Sequence, residues 1–95
     1  MTGGYNMLYA ERIKMKYGCW NSQYPEEIDQ IYIRGYGWYP KADLYNCLVN
    51  NPKSISVNIW PYPYLIPALS SNREKYVRSN PDIWKHDDLM DLPRE

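Results

Sequence analysis

Phenylalanine is absent from this chain of 95 residues, histidine occurs once and cysteine twice. A structural zinc wants four nitrogen or sulfur ligands, and Cys19, Cys47 and His86 do not reach that number, so no metal is expected. A charge of one sign is lacking too. Eleven Lys and Arg against eleven Asp and Glu give a net charge of zero, without the basic excess that a non-specific nucleic-acid coat needs to displace counterions. The uncharged stretch Asn58 to Asn72 is broken by Pro61, Pro63 and Pro67 and cannot be a spanning helix, so no membrane partner is expected. No basic segment followed by an apolar core opens the chain, which predicts a reducing, cytoplasmic setting with both thiols free.

Catalytic patterns are equally sparse. Gly35-Tyr36-Gly37 lacks the third glycine and the following long helix of a phosphate-binding loop. Asp82, Asp87, Asp88 and Asp91 with His86 lack the fixed ligand offsets and glycine of a calcium loop, and read more simply as a solvated acidic tail. Nothing in the spacing supports a Cys–His pair. The chain is therefore expected to be no enzyme and to need no cofactor.

What is present is tyrosine and tryptophan, eleven and four, at 16% aromatic content. Both carry an apolar body and a hydrogen-bonding tip and favour places where one end stays wet. A chain restricted to them has half-exposed aromatic surface of the kind found in binding patches. The simpler account is that a domain this small, burying roughly 60–65% of its unfolded surface, has little deep core and leaves most aromatics at its edge.

Residue patterning predicts one α+β domain over 1–95: a mostly antiparallel sheet of four or five strands with one helix packed on a face. Residues 1–6 read as a flexible lead-in. Leu8–Tyr17 alternates as a strand, with Tyr9, Ile13, Met15 and Tyr17 on one side and Ala10, Arg12, Lys14 and Lys16 on the other. A second strand over Glu27–Arg34 sets Ile31 and Ile33 against Ile28, Gln30 and Tyr32. Pro40–Val49 is the one convincing helix, with Leu44, Cys47 and Leu48 as its apolar stripe and Asn50-Asn51-Pro52 as its stop. Ser54–Trp60 is a strand with Ile55, Val57 and Ile59 facing in and Ser56 and Asn58 facing out. Pro61–Tyr64 reads as a polyproline-type or edge segment, Leu65–Leu69 and Lys75–Ser79 as short extended pieces, and 80–95 as a docked tail carrying Leu89, Met90 and Leu92.

Tyr76-Val77-Arg78-Ser79-Asn80-Pro81-Asp82, followed by Asp87-Asp88-Leu89-Met90-Asp91-Leu92-Pro93, resembles the closing signature of a family of small bacterial and phage proteins, domain of unknown function 3892. The specific likeness covers residues 76–93, and upstream only the order of elements is compatible. Asp88 stands where that family more often has Asn, and the Pro61–Pro67 insert departs from it. The resemblance implies a small α+β fold and no activity. Physically, Arg78 among Asp82, Asp87 and Asp88 reads as a clasp that holds the tail by bidentate pairing.

Two surfaces are candidates for function. Trp38, Tyr39, Trp60, Tyr62 and Tyr64 lie in segments marked as loops or edges by Gly35, Gly37 and the prolines, and would contact a protein partner. The competing account makes Trp38 and Trp60 core plugs. Arg12, Lys14 and Lys16 would line up at roughly 6.5–7 Å intervals on one strand face and could meet a nucleotide or a single-stranded nucleic acid, unless they are only the wet side of a sheet. The expected function is a non-catalytic binding module, in one form an inhibitor of a host protein, with nucleotide or nucleic-acid capture and then a weak enzyme as alternatives.

Overall fold

The computed structural model describes residues 7–95, and the lead-in expected over 1–6 lies outside the described residues. Four strands form a mixed sheet in the order β3-β2-β1-β4, namely β1 (Leu8–Met15), β2 (Ile28–Ile33), β3 (Gly37–Pro40) and β4 (Ile55–Val57). β5 (Ile66–Leu69) and β6 (Lys75–Arg78) form a separate antiparallel hairpin. The single helix, α1 (Lys41–Asn50), packs against that hairpin and against β2 and β3. The α+β architecture with one helix on a sheet is thus as expected. The sheet is divided in two, and β4 runs parallel to β1 because α1 carries the chain back to the starting end.

Strict alternation fails in both long strands, and two bulges are the reason. Between Ala10↔Ile33 and Arg12↔Tyr32 the first strand has one residue too many, Glu11. Between Lys14↔Gln30 and Met15↔Ile28 the second has one too many, Asp29. Each extra residue reverses the phase of what lies beyond it. Ala10 and Ile28, read as outward, are therefore buried, while Tyr9, read as inward, turns away from the core. Tyr17 lies past the strand end and is fully exposed.

The core is aliphatic. Ile13, Ile28, Ile31, Ile33, Ile55 and Val57 from the sheet meet Leu44 and Leu48 of α1, Leu65 and Val77 beside the hairpin, and Leu89, Met90 and Leu92 of the tail. Pro40 precedes the helix, and the Asn51 amide closes its last turn on the Cys47 carbonyl at 2.8 Å. Gly37, at φ +109°, supports the tight reversal from β2 into β3, a conformation that disfavours a side chain. Pro61–Tyr64 is not a polyproline helix: Tyr62 has φ +60°, and its amide turns back onto the Ile59 carbonyl. The segment does cover a sheet edge, since Tyr64 bridges to Ser56.

The tail docks by a different clasp from the one expected. Asp87, 3% exposed, accepts hydrogen bonds from the Ser79 amide (2.9 Å) and hydroxyl, the Asn80 amide (3.2 Å) and the Leu89 amide (3.0 Å). Arg78 stands aside, with Nε donating to the Asn80 carbonyl at 2.6 Å and lying 3.9 Å from Asp87. A carboxylate oxygen accepts several amides at once, so a buried Asp can organise a turn in a way that a guanidinium cannot. Beyond it, Pro93 and Glu95 pair with Ile13 through bonds of 2.9 and 3.0 Å.

Candidate functional site

The face of the sheet turned away from the core collects most residues of both candidate surfaces. Outward positions of neighbouring strands stand side by side, and successive ones on a strand lie roughly 6.5–7 Å apart. Arg12 of β1 pairs across from Tyr32 of β2, which pairs across from Trp38 of β3. The Tyr32 and Trp38 rings meet edge-on at 5.4 Å. The Arg12 guanidinium lies 4.2 Å from the Tyr32 ring centre, and the Lys14 ammonium 5.1 Å from that of Trp38.

Further along the same side, Arg34 stacks on Tyr9 at 4.9 Å, Tyr9 meets Tyr62 edge-on at 6.4 Å, and Tyr62 meets Trp60 at 5.9 Å. Register carries the row on: Tyr9 stands beside Ser56, and Ser56 beside Tyr64. Trp60 is 80% exposed, so it is no core plug. Trp38 is half-exposed on an edge strand rather than in a loop. The result is one face of alternating rings and cations on a hydrogen-bonded scaffold.

Two expected members are elsewhere. Tyr39 follows Trp38 on its strand, so it turns inward and packs against the core. Lys16 lies beyond the end of β1 and donates to Glu74 at 2.9 Å, away from Arg12 and Lys14. That bond raises the Lys16 pKa and holds the Glu74 carboxyl below its ordinary range. Lys41, buried at the start of α1 and 3.3 Å from Glu74, has its pKa lowered, chiefly by burial.

Electrostatically the face is nearly balanced. Arg12 pairs with Glu95 at 2.8 Å and Arg34 with Glu11 at 2.6 Å, and Lys14 is the cation there without a salt bridge among the described residues. Tyr9, Tyr32 and Arg34 were not singled out from the sequence. The signal was present in Glu11, an acidic residue on the apolar side of strict alternation, which marks the bulge that turns Tyr9 outward.

The acidic tail residues are engaged locally. Asp82 accepts from the Trp84 amide and Asp91 meets His86 at 2.7 Å. Among the described residues no group of three or more His, Cys, Asp or Glu side chains could hold a metal ion, and no helix is long and apolar enough to cross a membrane. Cys19 and Cys47 are free thiols. Comparison of the chain with protein-family models, curated proteins and solved structures finds no match to any of them.

Proposed function

We propose that the protein is a non-catalytic module that captures a protein partner on the outer face of its four-stranded sheet. The supporting observation is the gathering of Trp38, Tyr32, Tyr9, Tyr62 and Trp60 with Arg12 and Arg34 on one open face. Tyr, Trp and Arg are the side chains that dominate binding energy at protein interfaces, and rigid rings lose little entropy on contact. The complementary surface would bring apolar side chains to the rings and a carboxylate to Lys14, since Arg12 and Arg34 are already paired with Glu95 and Glu11. A specific form, suggested by the likeness of residues 76–93 to proteins found in bacteria and phages, is an inhibitor that blocks a host protein.

Capture of single-stranded nucleic acid is the second reading, favoured by the interleaving of Lys14 and Arg12 with Trp38 and Tyr32. Glu95 and Glu11 count against it, because they neutralise two of the three cations and would repel phosphates. The test is affinity capture from nuclease-treated lysate of the source organism, beside anisotropy with a single-stranded oligonucleotide. Trp60→Ala with Tyr62→Ala, folded by circular dichroism, should lose a specific protein partner that the wild type retains. Retention of that partner at full affinity overturns the assignment of the face. Salt-sensitive oligonucleotide binding with no protein retained replaces protein capture by the second reading.

A further inference from the structure

We propose that a groove outside the sheet face is a binding site for a monoanionic carboxylate carried on an apolar or aromatic body. The groove, about 550 Å³, lies between the Tyr24–Glu26 turn, the tip of the β5–β6 hairpin and the 83–87 loop. Its walls include Tyr24, Ile83 and Trp84, all largely exposed, with Trp84 at 90%. Arg78 also lines it, with a side chain only 8% exposed.

The guanidinium is under-used. Nε donates to the Asn80 carbonyl and Nη1 to the Tyr76 hydroxyl at 3.2 Å, while Nη2 has no hydrogen-bond partner among the described residues. Asp87, the nearest carboxylate at 3.9 Å, already accepts from Ser79, Asn80 and Leu89. A buried donor edge without an acceptor is costly, and the planar fork of Arg matches a carboxylate. Glu26 and Asp87 border the groove beside Arg78, Lys85 and His86, so the local charge is close to balanced. That balance suits one negative charge better than the two of a phosphate. The exposed indole and the Ile83 side chain supply the apolar wall that fixes the rest of the ligand.

The loop bearing these walls is turned at its start by Asp82, which accepts from the Trp84 amide at 2.9 Å, and held at its end by Asp87, which accepts from the Ser79 and Asn80 amides just past β6. The site is therefore framed before a ligand arrives, which limits the ordering cost of binding.

The experiment is a titration of the ¹⁵N-labelled chain, followed at the Arg78 Nε–H and Trp84 indole N–H resonances. Phenylacetate is the probe for a free small carboxylate, and N-acetyl-leucyl-phenylalanine as its free acid is the probe for a peptide C-terminus. Phenylacetamide and the peptide amide are the neutral controls. At least one acid should shift both resonances saturably, with its amide weaker by about tenfold or more, as expected for loss of a charge-assisted hydrogen bond. Saturation by both acids identifies a site for carboxylates generally, and by the peptide alone a site for a chain terminus. Ile83→Ala with Trp84→Ala removes exposed side chains only, and should keep the folded spectrum while weakening the acid by about tenfold. Equal response to acid and amide, no saturable shift with either acid, or full affinity in the double variant overturns the proposal.

Discussion

The two faces of the four-stranded sheet are made from neighbouring residues of the same strands and share almost no chemistry. Inward stand Ile13, Ile31, Ile33 and Val57, with no polar atom to satisfy. Outward stand Tyr9, Arg12, Tyr32, Arg34 and Trp38, each with a hydroxyl, a guanidinium or an indole that keeps contact with water. The contrast explains the missing phenylalanine. β-Branched aliphatics pack a pleated surface without polar tips, so the fully buried positions of this sheet hold no aromatic ring. Tyr39 packs against the core only while partly buried, and the outward rings stand where their tips stay wet.

Neighbouring residues on opposite faces offer the sharpest test. Ile31→Ala, fully buried, should cost about 2–5 kcal/mol in urea unfolding. Tyr32→Ala, one residue on and facing out, should cost about 1 kcal/mol or less, the scale of an exposed cation–π contact. Equal losses at the two positions would break the distinction between a structural and a free face. A smaller effect is expected where the tail closes the inner side. Asp87→Ala leaves buried amides unpaired and should cost about 2–3 kcal/mol, and Arg78→Ala should cost less. The reverse order would return the clasp to Arg78.

The smallest effect is expected at the seam where β1 ends, in the Lys16–Glu74 pair. Hydrogen bonds from Lys16 and then Lys41 lower the Glu74 pKa, so its carboxylate stabilises the fold above the ordinary carboxylate range, and that contribution is lost as pH falls through the lowered value. Lys16, raised by the same bond, contributes below the ordinary lysine range and loses it as pH climbs through the raised value. Lys41, lowered by burial, has the opposite sign, since folding disfavours its protonated form and stability recovers as it deprotonates. The acid limb is therefore the clean measurement. Glu74→Gln should flatten it between pH 7 and about 3 by less than ~1 kcal/mol, because the pair is half-exposed. An acid limb unchanged by the substitution would show that the pair carries no stability.

The elements legible in the sequence are those with one dominant local signal. α1 announces itself through Leu44 and Leu48 and through the Asn51-Pro52 stop, and the tail through Leu89, Met90 and Leu92. Phase was legible only where alternation is unbroken. Glu11 and Asp29 each fall on the apolar side of a strict two-residue period, and reading them as bulges would have placed Ala10, Ile28 and Tyr9 correctly. The row of Arg12, Lys14 and Lys16 failed at its last member because a strand period says nothing once the strand has ended. Asp87 could not be separated from Asp82, Asp88 and Asp91 by composition. What distinguishes it is the convergence of amides from both sides of a turn, which exists only after folding.

One edge of β1 is shared between two distant stretches of chain: Ile55–Val57 pairs with Leu8–Ala10, and Pro93–Glu95 with Ile13. The two closures cannot be simultaneous during synthesis. The first can form once α1 and β4 have emerged, whereas the second must wait until residue 95 is available, leaving the amide and carbonyl of Ile13 open in the interval. Pairings of high sequence separation carry the largest loop-closure cost and form slowly. Until that second pairing forms, β1 presents an unpaired stretch at Ile13 on this edge, and it is there that the chain is most open to edge-to-edge association.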